Sequence, residues 1–456
     1  MKIINPSTGR VIKEINADTA EIANKKLVLL KQGQKQWYTD ISIEQRIECV
    51  EQFILLLQQN IKELALDLTM EVGKPIQESE NEINAACERC QYFVDHAVKI
   101  LAEKQVNVDG HTEEILAYEP LGVVANISAW NYPYLVGVNV IIPALIAGNG
   151  VAYKPSEFAI LIGLNIEKHI HESGVPYDVF QCFIGAKEVG DMLLRAPLDG
   201  YFFTGSVATG KHIAKKVAEK LVPLGLELGG KDPAYVTDDI ISVKETAKSL
   251  VEGVFYNNGQ SCCSVERIYV HHSIYDKFVS HFVNATAKLS VGDPKERCIT
   301  NGAITRPQHL NFLKIQVKDA LRKGAVILFG GHKIESQGYF FKPTVFINVD
   351  HSMRIMTEET FGPVIGIQSV KDDQEAISLM NDTQYGLTAG VFTADKERAT
   401  GIIKQLDAGN VYWNCCDRIS PFLPWAGRKN SGLGATLSQH GLYAFVKTKG
   451  VHLKSM

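Results

Sequence analysis

The stretch NNGQSCCSVER, Asn257 to Arg267, sets two cysteines side by side behind a Gly-Gln step. A thiol can act as a covalent nucleophile, because a fraction of it ionises near neutrality and the thiolate attacks electrophilic carbon. Asn257 to Gln260 read as a turn, so Cys262 is expected to start a new element, where a helix N-terminus would favour its thiolate. Packing is the commoner role for a cysteine, and the residues alone leave both roles open. A second candidate lies in LELGGKDP, where Glu227 stands between two leucines at the end of an apolar run. A carboxylate so placed is either a satisfied buried group or a general base with a raised pKa.

Two further stretches could meet a ligand. YFFTGSVATGKHIAKKV reads as strand, Gly-rich turn and helix, with Gly205 and Gly210 framing a turn that lets backbone N–H groups approach a phosphate. It lacks the P-loop Lys-Ser and is not the three-glycine dinucleotide fingerprint, so a plain turn is an equal reading. AYKPSEF places Lys154 and Glu157 just past a strand end, where polar residues meet ligands or form an exposed ion pair. No HExxH occurs, and Cys87 and Cys90 make a loose CxxC on a helical pattern with no second pair, so no metal site is expected.

The elements that must hold these residues are legible as patterns. The first hundred residues read as helices: Ser42 and Gln45 make a capping-box signal. Ile43, Ile47, Val50, Ile54, Leu57, Ile61, Leu64 and Leu68 then form one apolar helical face before Gly73 and Pro75. From Leu121 the texture changes to short apolar runs (GVVANISAW, GVAYKP, VFQCFIG, GYFFTGS) alternating with helical patterns, which predicts parallel βαβ units. A second such region runs from about Ala234 to Leu406. Two pieces fit neither lobe: Leu101–Glu119, with the alternation of an antiparallel ribbon, and Gly441–Met456, where KGVHLK could form a strand.

The 456 residues suffice for two or three domains; 45% are hydrophobic, 21% are charged and the formal net charge is −4. Neither charge sign dominates, which argues against nucleic acid or an anionic membrane as partner. No signal peptide or run of 18 apolar residues is seen, and nine irregularly spaced cysteines suggest reduced thiols, so the expected location is cytoplasmic.

Taken together, PLGVVANISAWNYP, KPSE, FTGS, LELGGKDP, NNGQSCC, EETFGPV and PWAGRKNSGLG resemble the motifs of the aldehyde dehydrogenase superfamily, in that family's order and at its approximate spacing, over nearly the whole chain. The resemblance implies an α/β fold with a Rossmann-type cofactor domain (1–100 and 120–228), an α/β catalytic domain (229–427) and small oligomerisation elements (101–119 and 440–456). It implies oxidation of an aldehyde to a carboxylic acid with reduction of NAD. Cys262, in the Gly-Gln-x-Cys register, would be the nucleophile and Cys263 its neighbour; Glu227 would be the general base and Asn131 a donor to the oxyanion. Lys154 and Glu157 match residues on the adenosine ribose, and Gly205 and Ser206 the turn near the pyrophosphate. Thr204 matches a residue beside the nicotinamide, Glu359 and Phe361 contacts to its ribose, and Ile127, Trp130 and Leu228 further cofactor contacts. Glu157 would favour NAD over NADP by repelling a 2′-phosphate, tempered by Lys154.

The chain departs from the family at two positions: Val140 stands where a Lys is usual and Thr436 where a Glu is usual, residues the resemblance implicates in stabilising or relaying protons from the general base, so the proton exit route is left open. Transfer of the acyl group to coenzyme A and an inactive binding protein of the same fold are the competing readings; the presence of Glu227 argues against the first, and that of Cys262, Glu227 and Asn131 together against the second. Tyr132, Ser261, Ile419 and Trp425 are expected to line the substrate pocket, with Arg418 meeting a substrate carboxylate or, as is commoner for a loop Arg, solvated or paired, Asp417 being the adjacent partner. The resemblance also implies a homodimer or homotetramer.

Overall fold

The computed structural model describes residues 1–455. The apolar runs after Leu121 form parallel strands buried on both faces, as their near-continuous hydrophobicity requires. Leu224–Glu227, Gly200–Thr204, Val123–Ile127, Gly150–Lys154 and Phe180–Cys182 lie side by side in that order, with the short antiparallel Gly432–Leu433 at one edge. Helices Pro133–Ile146, Ile160–Glu172, Lys187–Arg195 and Val207–Val217 join them. A second sheet has Asp232–Val236 and Val265–His271 at its centre. Val364–Val370, Thr344–Ile347 and Val326–Phe329 extend it on one side, Thr388–Phe392 and Asn410–Trp413 on the other. Val326–Phe329 pairs antiparallel at its edge, while the other pairings are parallel.

The amino-terminal hundred residues are not wholly helical, as the pattern had suggested. Lys2–Asn5 and Arg10–Glu14 form an antiparallel hairpin, and four helices follow: Ala20–Thr39, Ile43–Gln59, Ile61–Val72 and Ile76–Leu101. The predicted capping box is present, with Gln45 N donating to Ser42 Oγ at 3.3 Å and Ser42 N to Gln45 Oε1 at 2.9 Å. The single apolar face is shared by two helices. At Asn60 the backbone leaves helical geometry, and its side-chain amide donates to Leu56 O at 2.8 Å. The stripe continues across this break because Ile47, Val50, Ile54, Leu57, Leu64 and Leu68 all point into one core. Gly73, at φ +88°, ends the second helix in the left-handed cap that glycine accepts without a Cβ clash. Cys87 and Cys90 are buried on the Ile76–Leu101 helix and pack in the core.

The ribbon gains a third strand. Lys104–Asp109 pairs with Thr112–Pro120, and Val446–Lys454 pairs with the other edge of Thr112–Pro120 in unbroken register from Val446 opposite Pro120 to Lys454 opposite Thr112. Met456, at the end of the expected tail element, lies outside the described residues. Among the described residues no helix is long and apolar enough to cross a membrane.

Parallel strands deliver their carboxyl-end residues to one edge of a sheet. In the first sheet Lys154 stands opposite Ile127, Ile127 opposite Phe203, and Thr204 opposite Glu227. One row of the ladder therefore carries four of the site residues named from the motifs: Lys154, Ile127, Thr204 and Glu227.

Candidate active site

A cavity of about 1430 Å³ opens at this carboxyl edge, against the segments that lead into the second sheet. It is lined by Cys262, Glu227 and Asn131, and by Ile127, Trp130, Lys154, Glu157, Thr204, Gly205, Ser206, Leu228, Glu359 and Phe361. Tyr132, Ser261, Ile419 and Trp425 line it as well. Segments far apart in sequence thus converge as the motifs anticipated.

Cys262 does not begin a helix. It sits in a turn between the 3-10 segment Tyr256–Gly259 and the strand Val265–His271. Side-chain amides hold this turn. Asn257 and Asn258 adopt left-handed backbone angles, which asparagine tolerates better than most residues. Asn257 Nδ2 donates to Gln260 O and to Asn131 O, both at 3.2 Å, and Asn131 Nδ2 donates to Gln260 O at 3.1 Å. Gln260 in turn accepts from Thr305 N at 3.0 Å. Asn131 is thereby fixed to the carbonyl two residues before Cys262. The helix-terminus advantage expected for the thiolate is absent; backbone N–H groups of a tight turn and nearby side chains are what the site offers instead.

The two cysteines differ sharply. Cys262 is partly open to the cavity, while Cys263 is buried and donates its S–H to Asp417 Oδ1 at 2.9 Å. The neighbouring Cys262 thiol, burial and Asp417 together push the Cys263 thiol well above its ordinary range. Cys263 is thus held as a neutral thiol.

Glu227 ends its strand with its carboxyl group inside the protein. Oε1 accepts from Thr436 Oγ at 2.9 Å, whereas Oε2 is buried and has no hydrogen-bond partner within the protein, so its acceptor capacity is free. Burial pushes its pKa up to about 8, against the opposing pull of the Thr436 hydroxyl and the charge of Arg89. Thr436, at the position where the family usually carries a Glu, is therefore in direct contact with the candidate base. Val140 is buried away from the cavity in the main core.

At the carboxyl end of the strand Gly200–Thr204, Ser206 caps the Val207–Val217 helix by accepting from Thr209 N at 3.4 Å, and Ala208 and Thr209 of its first turn line the cavity. Lys154 is buried and donates to Pro155 O at 3.0 Å, while Glu157 is exposed, so the two form no ion pair. Glu359 folds back to accept from Gly230 N at 3.1 Å, and burial first, then the charge of Glu266, raises its pKa to about 8. Phe361, at φ +49°, meets Trp130 edge-on at 5.6 Å between ring centres. This loop is set from beneath. Glu266 accepts from Thr360 N and Phe361 N and pairs with Lys231 at 2.8 Å, and Lys231 also donates to Thr360 Oγ.

Several of these residues escaped the sequence reading. Lys231 and Glu266 lay inside quoted motifs but received no role. Arg418 does not pair with Asp417: it is exposed, with Glu252 at 4.0 Å, because the left-handed Asp417 turns inward to Cys263. Glu78, Glu82 and Arg89 are buried on the Ile76–Leu101 helix. Their signal was present, since all three fall on the helical face that carries Ile83, Ala86, Cys90 and Phe93. A charge on an apolar face marks a buried polar network.

The difference between the thiols predicts their reactivity. At neutral pH iodoacetamide should label Cys262 at least about tenfold faster than Cys263, because only a thiolate attacks and the buried thiol stays protonated. A time course of peptide mass spectra measures both rates; equal labelling would contradict the assignment.

Comparison with known proteins agrees with this geometry. Residues 1–451 match the model of the aldehyde dehydrogenase family. Aminoaldehyde dehydrogenase 2 of Zea mays is 33% identical, over 99% of this chain and 91% of that protein. Betaine aldehyde dehydrogenase of Vibrio vulnificus is 33% identical, over 99% of this chain and 93% of that protein. The crystal structure of Staphylococcus aureus betaine aldehyde dehydrogenase in complex with NAD+ superposes with a TM-score of 0.95 at 31% identity, covering all of this chain and 92% of that one. The chain belongs to the aldehyde dehydrogenase family.

Proposed function

We propose that Cys262, Asn131 and Glu227 carry the oxidation of an aldehyde to a carboxylic acid, with NAD as the cofactor. The observation behind this reading is that a partly open thiol, a carboxamide fixed beside it and a carboxyl of raised pKa line one cavity. The Cys262 thiolate adds to the aldehyde carbon and forms a thiohemiacetal. Asn131 Nδ2 and the Cys262 backbone N–H donate to the oxyanion, and one such donor is typically worth about 3–4 kcal/mol in the transition state. Bound nicotinamide supplies the acceptor for the hydride. A thioester on Cys262 remains. Glu227, ionised, takes a proton from water, the hydroxide oxygen attacks the thioester carbon, and the acid and the free thiol result. Neither acyl transfer to coenzyme A nor an inactive binding role finds support, since the base is present and the relatives are named as betaine and aminoaldehyde dehydrogenases.

The donor set fits a dinucleotide. A capped helix N-terminus faces the cavity for a pyrophosphate. An exposed carboxylate, Glu157, lies near Lys154 for ribose hydroxyls, and Ile127, Phe203, Leu228 and Ile213 supply apolar walls. We read residues 1–100 and 120–228 as the cofactor domain, 229–427 as the catalytic domain, and 101–119 with 440–456 as assembly elements. The cytoplasmic location is likewise our reading, since relatives are variously named chloroplastic and peroxisomal.

For substrate we infer an aldehyde with a positively charged tail. Asp417, whose carboxyl is raised only to about 6 and is ionised at neutral pH, lines the cavity with Tyr132, Tyr256 and Trp425, a setting that attracts an ammonium through a carboxylate and aromatic faces. The relatives' names point to the same class. Arg418 lines the cavity at its exposed rim, with Glu252 at 4.0 Å, and offers no buried partner for a substrate carboxylate. A kcat/KM panel should rank aminoaldehydes and betaine aldehyde above neutral aldehydes of equal length, and these above semialdehydes; a preference for semialdehydes would overturn the inference.

The role of Glu227 sets a pH dependence. Only its ionised form accepts the water proton, so thioester hydrolysis should rise with pH to a midpoint near 8. Thr436→Val removes a hydrogen bond to the charged form and should move that midpoint higher. Glu227→Gln should keep a stoichiometric burst of NADH and stop turnover, as seen by stopped-flow absorbance at 340 nm. Loss of the burst would assign Glu227 to activation of Cys262 instead.

The ribbon supports a homo-oligomer. Lys104–Asp109 is an exposed edge strand, and Val106, Val108 and Leu453 are exposed. Open edges of this kind call for a covering partner. Deleting Gly450–Met456 should reduce the mass measured by light scattering and lower the thermal midpoint, while leaving the alkylation rate of Cys262 unchanged. A full-length monomer at micromolar concentration would refute the oligomer.

A further inference from the structure

Arg89 is a buried cation for which the reaction outlined so far has no use. Its side chain rises from the Ile76–Leu101 helix and is 6% exposed, yet among the described residues no carboxylate lies within ion-pair distance. The buried acidic side chain on its own helix whose charge acts on it, Glu82, is committed to Lys74. One guanidinium nitrogen, Nη1, is anchored to Asn139 Oδ1 at 3.0 Å and Leu135 O at 3.4 Å, both on the Pro133–Ile146 helix. The other nitrogens have no protein acceptor, and neither is sealed, so they open onto the cavity that Arg89 lines with Cys262 and Glu227. A buried guanidinium without a counter-charge is costly to fold and is retained where an anion forms.

We propose that Arg89 is the counter-charge for the reaction's two anions, the Cys262 thiolate and the Glu227 carboxylate, and is a positioning residue acting through them. The inference rests on the roles given to those two residues above. Arg89 lines one cavity with Cys262, Cys263, Glu227 and Glu82, and these groups, with Cys90 on its own helix, are the ones whose charges couple to its own. Cys263 is held neutral beside Asp417, Glu82 is paired with Lys74, and Cys90 is buried and protonated. Cys262 and Glu227 are left as the two groups whose charge changes during turnover and whose anions Arg89 favours. Anchoring by Asn139 and Leu135 keeps the guanidinium from collapsing onto either, so one cation serves both in succession.

The test needs no cofactor. In the full-length protein, the rate of Cys262 alkylation by iodoacetamide is followed against pH by peptide mass spectrometry. Arg89→Gln should move the midpoint up by about one pH unit and slow labelling at pH 7 about tenfold. Arg89→Lys should restore most of the shift. The lower limb of the turnover profile should move in the same direction in R89Q. A folded R89Q with unmoved midpoints, whatever its activity, would overturn the proposal by reducing Arg89 to a packing role. If R89Q does not fold, Asn139→Ala, which keeps the charge but frees its anchor, should shift the midpoint upward by a smaller amount; no shift there is equally fatal. Cys262→Ala separates the two levels of inference: turnover surviving in that variant sinks the nucleophile assignment itself, whereas a dead C262A with unmoved R89Q midpoints sinks only the role of Arg89.

Discussion

The buried pair of Lys231 and Glu266 is the interaction on which the site's geometry depends. The chain leaves the first sheet at Glu227 and enters the second at Asp232, and Lys231 closes that crossing. Its ammonium is bound by Glu266 and Thr360 Oγ, and its carbonyl accepts from Arg267 Nε at 2.9 Å. Glu266 and Arg267 belong to the strand that follows Cys262, and Glu266 also holds the backbone of Thr360 and Phe361. One ion pair therefore ties the segment after Glu227, the strand that follows Cys262 and the loop of Thr360 and Phe361. Breaking one partner of such a pair leaves a buried charge uncompensated, which typically costs about 3–5 kcal/mol.

The cavity is an environment that suppresses charge. Burial raises the carboxyls of Glu227, Glu78 and Glu359 to about 8 and that of Asp417 to about 6, and it lowers Lys154. Little solvent dielectric is left to screen charges there, so each hydrogen bond or neighbouring charge has a large effect on which group ionises. Thr436 shows the principle on a small scale. A hydroxyl donates to the carboxylate at a position where the family's usual Glu would add a second negative charge.

What was legible in the sequence was local. The strands after Leu121 announced themselves by apolar runs and Gly or Pro boundaries, the capping box at Ser42 by two residues, and the cavity-lining residues by motif. Interruptions of a pattern were less visible. Asn60 splits a helix whose apolar stripe runs on unbroken, and NPSTGR turns a hairpin too short to show alternation. Contacts between distant segments were not legible at all. Cys263 and Asp417 are 154 positions apart, and Glu227 and Thr436 are 209 apart. Nothing in either stretch names its partner. The reading of Arg418 with Asp417 failed for this reason: adjacency suggested a pair, but the left-handed backbone at Asp417 points the two side chains to different places.

The same distances bear on how the chain matures during synthesis. A growing polypeptide folds from its amino terminus, and domains consolidate as they emerge. The first sheet can assemble early except for one edge, because Gly432–Leu433 pairs with Leu224–Glu227 and Thr436 reaches Glu227. The last strand, Val446–Lys454, completes the sheet begun at Lys104–Asp109. The carboxyl of Glu227 thus stays without its hydroxyl partner, and the ribbon without its third strand, until nearly the whole protein has been made. Translation that stops short would yield a folded but uncapped body with an open strand edge, a natural target for chaperones and quality-control proteases.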